Sequence, residues 1–439
     1  MAKNSRAAAL KIVREVNEGA YLNLAVKKEL SGLEEADKRF VTALCHTLFE
    51  NRIKIDFVID SFTKGKRVHS LIYDILRIGV CQLLFFDSVP ESAAVNECVK
   101  LAADSKKPQL KGFVNGVLRN IARNKNNIEF PGKDDGAVKY LSVNYSYPEW
   151  LTEKYIRDFG EKFTEELLAY KKTSAETCVK YNSLKLTDDK LKEKLLGAAF
   201  KVRRGNYLPY ALYIKNVTAI DELKMFKKGE FSVQSESSML VCEAADIKEG
   251  LSVIDVCAAP GGKAAFAYER SKREVTALEL HSHRAELMKK NFERLGTQAK
   301  ITVANAEVPI PEYYGKFDRV LVDAPCSALG LLYRKPDIKL KKTPDELEKI
   351  VKTQLEILKT ASRYVARGGR LIYSTCTIDK DENEGIIDCF LNEERGFKAA
   401  ELSLYMPEAF KKRAQDGRLT LYPHIDGIDG FFIAALERK

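Results

Sequence analysis

Histidine is scarce in this chain, with five residues among 439, and none of the nine cysteines forms a Cys-x-x-Cys pair. His281 and His283 stand close together, but no cysteine or carboxylate cluster joins them at zinc-finger spacing, so no metal site is expected. Nine thiols at irregular intervals are too dilute for a disulfide framework, and reduced cysteines are the expectation. Long apolar runs are missing as well, since none approaches the roughly 20 residues a membrane-spanning helix needs. The opening stretch MAKNSRAAALKIVREV is broken by Lys11, Arg14 and Glu15, so it lacks the continuous apolar core of a secretory signal. A cytoplasmic protein without membrane attachment is predicted. Neither the G-x-G-x-x-G turn of dinucleotide folds nor a Walker-type phosphate loop occurs, which argues against dinucleotides and nucleoside triphosphates as ligands.

What is present is a moderate excess of positive charge, +10 at neutral pH, which suits a polyanionic partner such as nucleic acid. At this length two or three domains are expected, because single cores hold about 100 to 200 residues. Residues 1–125 carry apolar positions at three- and four-residue spacing, for example Phe40, Val41, Leu44 and Leu48 after the cap candidate Asp37, and predict an all-helical bundle. The polar stretch Asn124 to Gly136 is the candidate linker. Residues 126–229 continue through a helical segment from Tyr147 into the strand-like runs CVKYNSLK and YALYIKN, which flank TDDKLKEKLLGAAF, and predict a small α+β unit. From residue 230 to 439, apolar strands alternate with helices: LSVIDVCAAPGG, REVTALEL, ITVAN, FDRVLVDAPCS and GGRLIYSTCT. That alternation predicts a doubly wound, Rossmann-like parallel sheet.

The strand Val253 to Val256 runs into Cys257-Ala258-Ala259-Pro260-Gly261-Gly262-Lys263, whose small residues let backbone approach a ligand at the sheet's carboxyl edge. About twenty residues on, the next strand ends at Glu279, where a doubly wound fold places the carboxylate that binds ribose hydroxyls, so an adenosine-containing cofactor fits. Two more strands of the sheet end in Asp323-Ala324-Pro325-Cys326 and Ser374-Thr375-Cys376, which directs both thiols to the same crevice. Cys45, Cys81, Cys98, Cys178, Cys242 and Cys389 read instead as small apolar residues. Paired thiols beside such a cofactor suit methylation of carbon 5 of cytosine. That carbon is a poor nucleophile until a thiolate adds at carbon 6. Asp323, three residues before Cys326, is positioned to stabilise charge at N3 if it is protonated or bridges through a proton.

At these residues the sequence resembles the bacterial 16S ribosomal RNA cytosine-5 methyltransferases of the Sun/Fmu (RsmB) type. CAAPGGK, DAPCS followed by RKPDIK, YSTCT followed by DENE, and the terminal DGFF occur in the family's order. The amino-terminal helices are similar to the NusB-type RNA-binding fold. The resemblance implies S-adenosylmethionine as cofactor, Cys376 as nucleophile, Cys326 as the thiol that assists product release, and Asp323 in contact with cytosine. It implies a cofactor-binding set of Cys257, Ala258, Ala259, Pro260, Gly261, Gly262, Lys263, Glu279, Arg284, Asn305 and Asp323. Arg334, Lys335 and Asn182 are the implied RNA contacts, with Lys339 in the same basic stretch and Lys64, Lys66 and Arg67 as unspecific phosphate contacts of the bundle. The expected partner of this monomer is 16S rRNA or an early small-subunit assembly intermediate, with the target base unstacked. Transfer RNA or large-subunit RNA as substrate, or an assembly or antitermination factor working through the bundle, are the competing expectations. Against the family pattern, Lys180 replaces arginine, Ser235 replaces aspartate, Asn305 replaces aspartate, and Ser327-Ala328-Leu329-Gly330 replaces SGTG.

Overall fold

The computed structural model describes residues 4–171, 176–215, 217 and 220–439. The chain forms two compact units, one of Met1–Lys171 with Leu332–Lys342 and one of Lys172–Leu331 with Thr343–Lys439.

The first unit is all helical, as its spacing predicts. Helix Ser5–Asn17 begins at Asn4, whose side chain accepts hydrogen bonds from the amides of Arg6 and Ala7, and it buries Ala8, Ala9, Ile12, Val13 and Val16 along one stripe. Helix Glu35–Glu50 starts at Glu34 rather than at Asp37. Asp37 sits inside the first turn, where a negative charge favours the helix dipole. Helix Ser70–Phe85 is buried almost all round, because it runs through the middle of the bundle. A Cβ at its Gly79 would come within 2.6 Å of Leu118 Cδ1, so glycine permits the close approach of helix Lys111–Asn124. The expected linker is packed: Phe130 lies 5.8 Å from the Phe57 ring and under the Lys54 ammonium at 4.3 Å. Helices Ala137–Tyr145, Glu149–Phe159 and Glu161–Ala169 belong to this same unit, and Ser146 Oγ accepts the Ile53 amide. The segment from Tyr147 is thus two helices, divided at Gly160 with φ of 84°.

The second unit holds two sheets. Strands β1 (Glu176–Tyr181), β2 (Val202–Arg204), β3 (Ala211–Lys215) and β4 (Phe231–Val233) pair antiparallel in the order β2-β3-β1-β4. Helix Asp188–Gly197 crosses between β1 and β2, which gives a ferredoxin-like arrangement. The larger sheet comprises β5 (Val253–Asp255), β6 (Val275–Glu279), β7 (Ala299–Val303), β8 (Phe317–Asp323), β9 (Val365–Thr375), β10 (Phe397–Ala399), β11 (Arg418–Leu421) and β12 (Phe431–Arg438). Its order is β10-β12-β9-β8-β5-β6-β7, with β11 on β12. Strands β5 to β9 are parallel, and β10, β11 and β12 are antiparallel additions. The chain winds from β5 through β6 to β7, then returns to β8 and β9 on the other side of β5. That reversal opens a crevice above the carboxyl ends of β5 and β8, the usual place for a ligand in such sheets.

Candidate active site

The turn after β5 is shaped for close approach. Gly261 has φ of 99°, and a Cβ there would meet Phe292 at 2.7 Å. Helix Gly262–Ser271 starts at this turn and brings Lys263 to within 2.6 Å of Asp323 at the end of β8. Burial works against the Lys263 charge, but Asp323 overcomes it and raises the ammonium pKa, so the lysine stays protonated. Asp323 also accepts a 3.0 Å hydrogen bond from Ser374 Oγ. Asp255, buried beneath the turn, accepts the Cys257 amide on Oδ1, and burial pushes its carboxyl up to about 7.

At the end of β6, Glu279 accepts the His281 amide and a 3.4 Å bond from Arg284, whose guanidinium also donates to Ala259 O. Asn305 lies beyond β7, where Oδ1 caps the Glu307 amide and Nδ2 meets the Glu307 carboxylate at 3.2 Å. Two buried acceptor atoms beside the turn have no hydrogen-bond partner: Asp255 Oδ2 and Gln234 Oε1, whose amide carbon lies 3.9 Å from a Cβ built on Gly262. Unmatched acceptors at a glycine-lined sheet edge fit a ligand rich in N–H and O–H donors, as an amino-acid nucleoside is.

Cys326 and Cys376 meet. Their Sγ atoms are 3.0 Å apart, both are partly exposed, and the Cys376 amide points at Cys326 Sγ from 3.3 Å. The contact with Cys376, with burial second, pushes the Cys326 thiol well above its ordinary range. Cys45, Cys81, Cys98, Cys178 and Cys242 are buried, and desolvation raises each. Cys389 is a partly exposed exception on helix Glu384–Glu393, hydrogen-bonded to Glu393.

Sequence reasoning missed the scaffold that fixes the two thiol-bearing loops, although it had noticed the DENE motif that supplies it. Glu382 is fully buried and accepts from the Ser327 amide at 2.9 Å, from Ser327 Oγ, and from Gln354 Nε2 at 2.9 Å. Gln354 also donates to Pro325 O. On the other loop, Asn383 accepts from Thr375 Oγ1 at 2.6 Å and donates to Thr377 O. A Cβ at Gly330 would overlap Gly430 O, so the terminal DGFF packs backbone to backbone against the Pro-Cys loop.

Two departures from the family pattern have clear partners in the fold. Ser235 caps helix Glu236–Ala244 by accepting the Ser238 amide, as aspartate would. Lys180 is buried against Glu269, at 2.6 and 2.7 Å from its two oxygens.

The expected RNA contacts separate. Arg334 and Lys335 are exposed, as are Lys64, Lys66 and Arg67. Asn182 corrects its expectation: it is 1% exposed and donates to Gly229 O and Leu295 O, so it fastens the small sheet to the end of helix Ser282–Leu295 and does not face RNA. Lys339 is likewise buried, donating to Glu50 O and lying over the Tyr147 ring, and desolvation lowers its pKa to about 7. Among the described residues no helix is long and apolar enough to cross a membrane, and no group of three or more His, Cys, Asp or Glu side chains is placed to hold a metal.

A parallel sheet that reverses at β5, with a carboxylate ending β6 and paired thiols in the loops just beyond β8 and β9, has the architecture of a Rossmann-like methyltransferase, and the chain's family matches agree. Residues 243–437 match the family described as 16S rRNA methyltransferase RsmB/F, residues 3–123 the NusB family, and residues 147–221 the RsmF/B-like ferredoxin-like domain. The chain is 35% identical over 433 residues to the probable ribosomal RNA small subunit methyltransferase B of Bacillus subtilis, covering 96% of this chain and 95% of that one. It is 32% identical to the protein of the same description from Synechocystis sp., covering 99% of each. The crystal structure of PH0851 superposes with a TM-score of 0.84 at 25% identity over 100% of both chains. The chain belongs to the ribosomal RNA small subunit methyltransferase B family. Its cofactor is S-adenosylmethionine, in keeping with the unmatched acceptors at the sheet edge.

Proposed function

We propose that this protein methylates carbon 5 of a cytosine in 16S rRNA through a covalent adduct between Cys376 and carbon 6. The observation that carries this proposal is the 3.0 Å approach of two free thiols beside the Lys263–Asp323 pair at the cofactor edge. A methyltransferase acting on an atom that is already nucleophilic needs no thiol there.

Bound S-adenosylmethionine supplies an electrophilic methyl group. Asp255, Gln234 and Glu279 are the acceptors that would hold its donors, with the Cys257 to Lys263 turn against its backbone-facing side. The Cys376 thiolate forms a bond to carbon 6, and the electrons of the 5,6 double bond move toward carbon 5 and N3. Asp323 meets the charge at N3 with the proton it shares with Lys263. Once carbon 5 carries the methyl group, with S-adenosylhomocysteine as the other product, Cys326 faces a neutral thioether and can release its proton to solvent. Its thiolate then takes the carbon 5 proton, the electrons of that C–H bond re-form the 5,6 double bond, the carbon 6–sulfur bond breaks to free the Cys376 thiolate, and N3 returns its proton to the Asp323–Lys263 pair. Arg334 and Lys335 are assigned to backbone phosphates, so affinity falls as salt rises. The rRNA preference draws support from full-length similarity to small-subunit rRNA methyltransferases and from the NusB-family helices.

The test is transfer of tritiated methyl from S-adenosylmethionine to unmodified 16S transcript, with bisulfite mapping of the product. Transfer to one cytosine at carbon 5 is expected. Label at another atom, or none on 16S RNA while transfer RNA or 23S RNA is labelled, would overturn the chemistry or the substrate respectively.

A further inference from the structure

One open cavity of about 470 Å³ lies outside the machinery described so far, lined by Glu384, Arg413, Asp416, Arg418, Thr420 and Tyr422. The strand register fixes its place. Thr375, the residue before Cys376, pairs with Phe432 on β12, and Phe432 pairs with Thr420 on β11. Thr420 is therefore two strands across from Thr375 on the same face, about 10 Å away at ordinary strand spacing. Adjacent residues tie the two strands: Asn383 accepts from Thr375 Oγ1, and Glu384 accepts from Thr420 Oγ1 at 2.9 Å. The cavity thus lies beside β11, two strands along the sheet from the end of β9 that carries the Thr-Cys loop.

Its chemistry is mixed. Glu384 Oε2 is a buried acceptor with no hydrogen-bond partner, an arrangement that is unfavourable unless a donor arrives. Arg413 is held by Asp426 at 2.6 Å and by Thr420 O, and Arg418 by Asp388 at 2.6 Å. Each guanidinium carries five N–H donors, more than these partners use. Tyr422 adds an aromatic ring. A volume of this size suits a small ligand.

We infer that this cavity receives an unstacked guanine that neighbours the target cytosine in the substrate RNA. The inference rests on the RNA-methyltransferase proposal above and adds a specificity element to it. Guanine alone among the four bases combines two adjacent donors, the ring N1–H and the 2-amino group, with the O6 and N7 acceptors that arginine reads. The donors match the empty Glu384 oxygen, and the acceptors match Arg418 or Arg413.

The experiment titrates guanosine, inosine, adenosine, cytidine and uridine 5′-monophosphates and inorganic phosphate into the full-length protein saturated with S-adenosylhomocysteine. It is run on wild type, Glu384→Gln and Arg418→Ala. Guanosine monophosphate is expected to bind about tenfold more tightly than inosine monophosphate, which lacks the 2-amino group, and each substitution removes that preference. Equal affinity for all nucleotides, affinity no better than phosphate, or a guanine preference that survives both substitutions would overturn the inference. Should one variant fail to fold, the guanosine-to-inosine comparison on wild type still decides. In methyl transfer, both variants are expected to raise KM for RNA about tenfold with kcat unchanged. An active wild type with unchanged KM in both variants removes the cavity assignment alone. A wild type that methylates no RNA yet keeps the Glu384-dependent guanine preference removes the catalytic proposal alone.

Discussion

Cys326 Sγ and Cys376 Sγ stand 3.0 Å apart, each just beyond the end of one of two neighbouring parallel strands, with Asp323 and Ser374 in register beside them. Two thiols in contact cannot both ionise readily, because the second negative charge would form against the first. The contact with Cys376, with burial second, holds the Cys326 thiol well above its ordinary range, which supports the proposed role of Cys376 as the nucleophile. Cys376→Ala is expected to abolish methyl transfer. Cys326→Ala is expected to lower turnover by about 10²–10⁴ and to leave protein covalently attached to RNA, visible as a retarded band on a denaturing gel. Full activity of Cys376→Ala would reverse the assignment.

Glu382 gathers three donors from two segments, Ser327 N, Ser327 Oγ and Gln354 Nε2. Burial raises its carboxyl pKa against the pull of those donors. Glu382→Ala strands them in a dry site and is expected to cost about 3 kcal/mol in urea unfolding. Glu382→Gln fills the space and should cost less. A loss below about 0.5 kcal/mol for the alanine variant would mean that water replaces the carboxylate.

Ala328 adopts φ of 61°, where the family pattern has glycine. A left-handed alanine is strained by about 1–2 kcal/mol, and part of that relief is lost to the greater freedom of glycine in the unfolded chain. Ala328→Gly is expected to gain about 0.5–1 kcal/mol, a rise of roughly 1–4 °C in Tm by calorimetry. A lower Tm would show that neighbouring contacts hold the alanine without strain.

Asp255 gives a pH signature. Burial raises its folded pKa to about 7, above the ordinary 3.8, so the folded state holds a proton that the unfolded chain has already released. Protein stability from this group therefore falls as pH rises from about 4 to 7, by up to ~4 kcal/mol, and stays low above pH 7. Asp255→Asn retains an oxygen for the Cys257 amide. It is expected to stabilise the cofactor-free protein at pH 8 and to lose that advantage as pH falls toward 4, measured by denaturant midpoints across pH. A pH-independent difference would place the charge in contact with water.

Much of the catalytic sheet was legible in the sequence. Parallel strands are buried on both faces and read as apolar runs such as FDRVLVD, and the residues that follow them must face one edge. The antiparallel strands β10, β11 and β12 were not read. Their pairing is set by β9 across long loops, and short strands such as Phe397–Ala399 carry too few residues for a period-two pattern. Charge was the least legible property. Lys335 and Lys339 are four residues apart in one basic stretch, yet one is exposed and the other is buried over Tyr147. Nothing local distinguishes them, because burial depends on which distant helices supply the ring and the carbonyl that receive the lysine.

The sequence by itself determined the order of the segments, the helical and parallel-sheet classes, and the thiols and turn that share an edge, since periodicity and strand polarity are local and directional. Tertiary structure alone decided that the two sulfurs touch and that Lys263 reaches Asp323. It also decided that Glu382 and Asn383 lock the two loops, and that Asn182 is a fastening inside the fold. Each of these depends on distance and desolvation between residues far apart in the chain, set only when the packed core brings their backbones together.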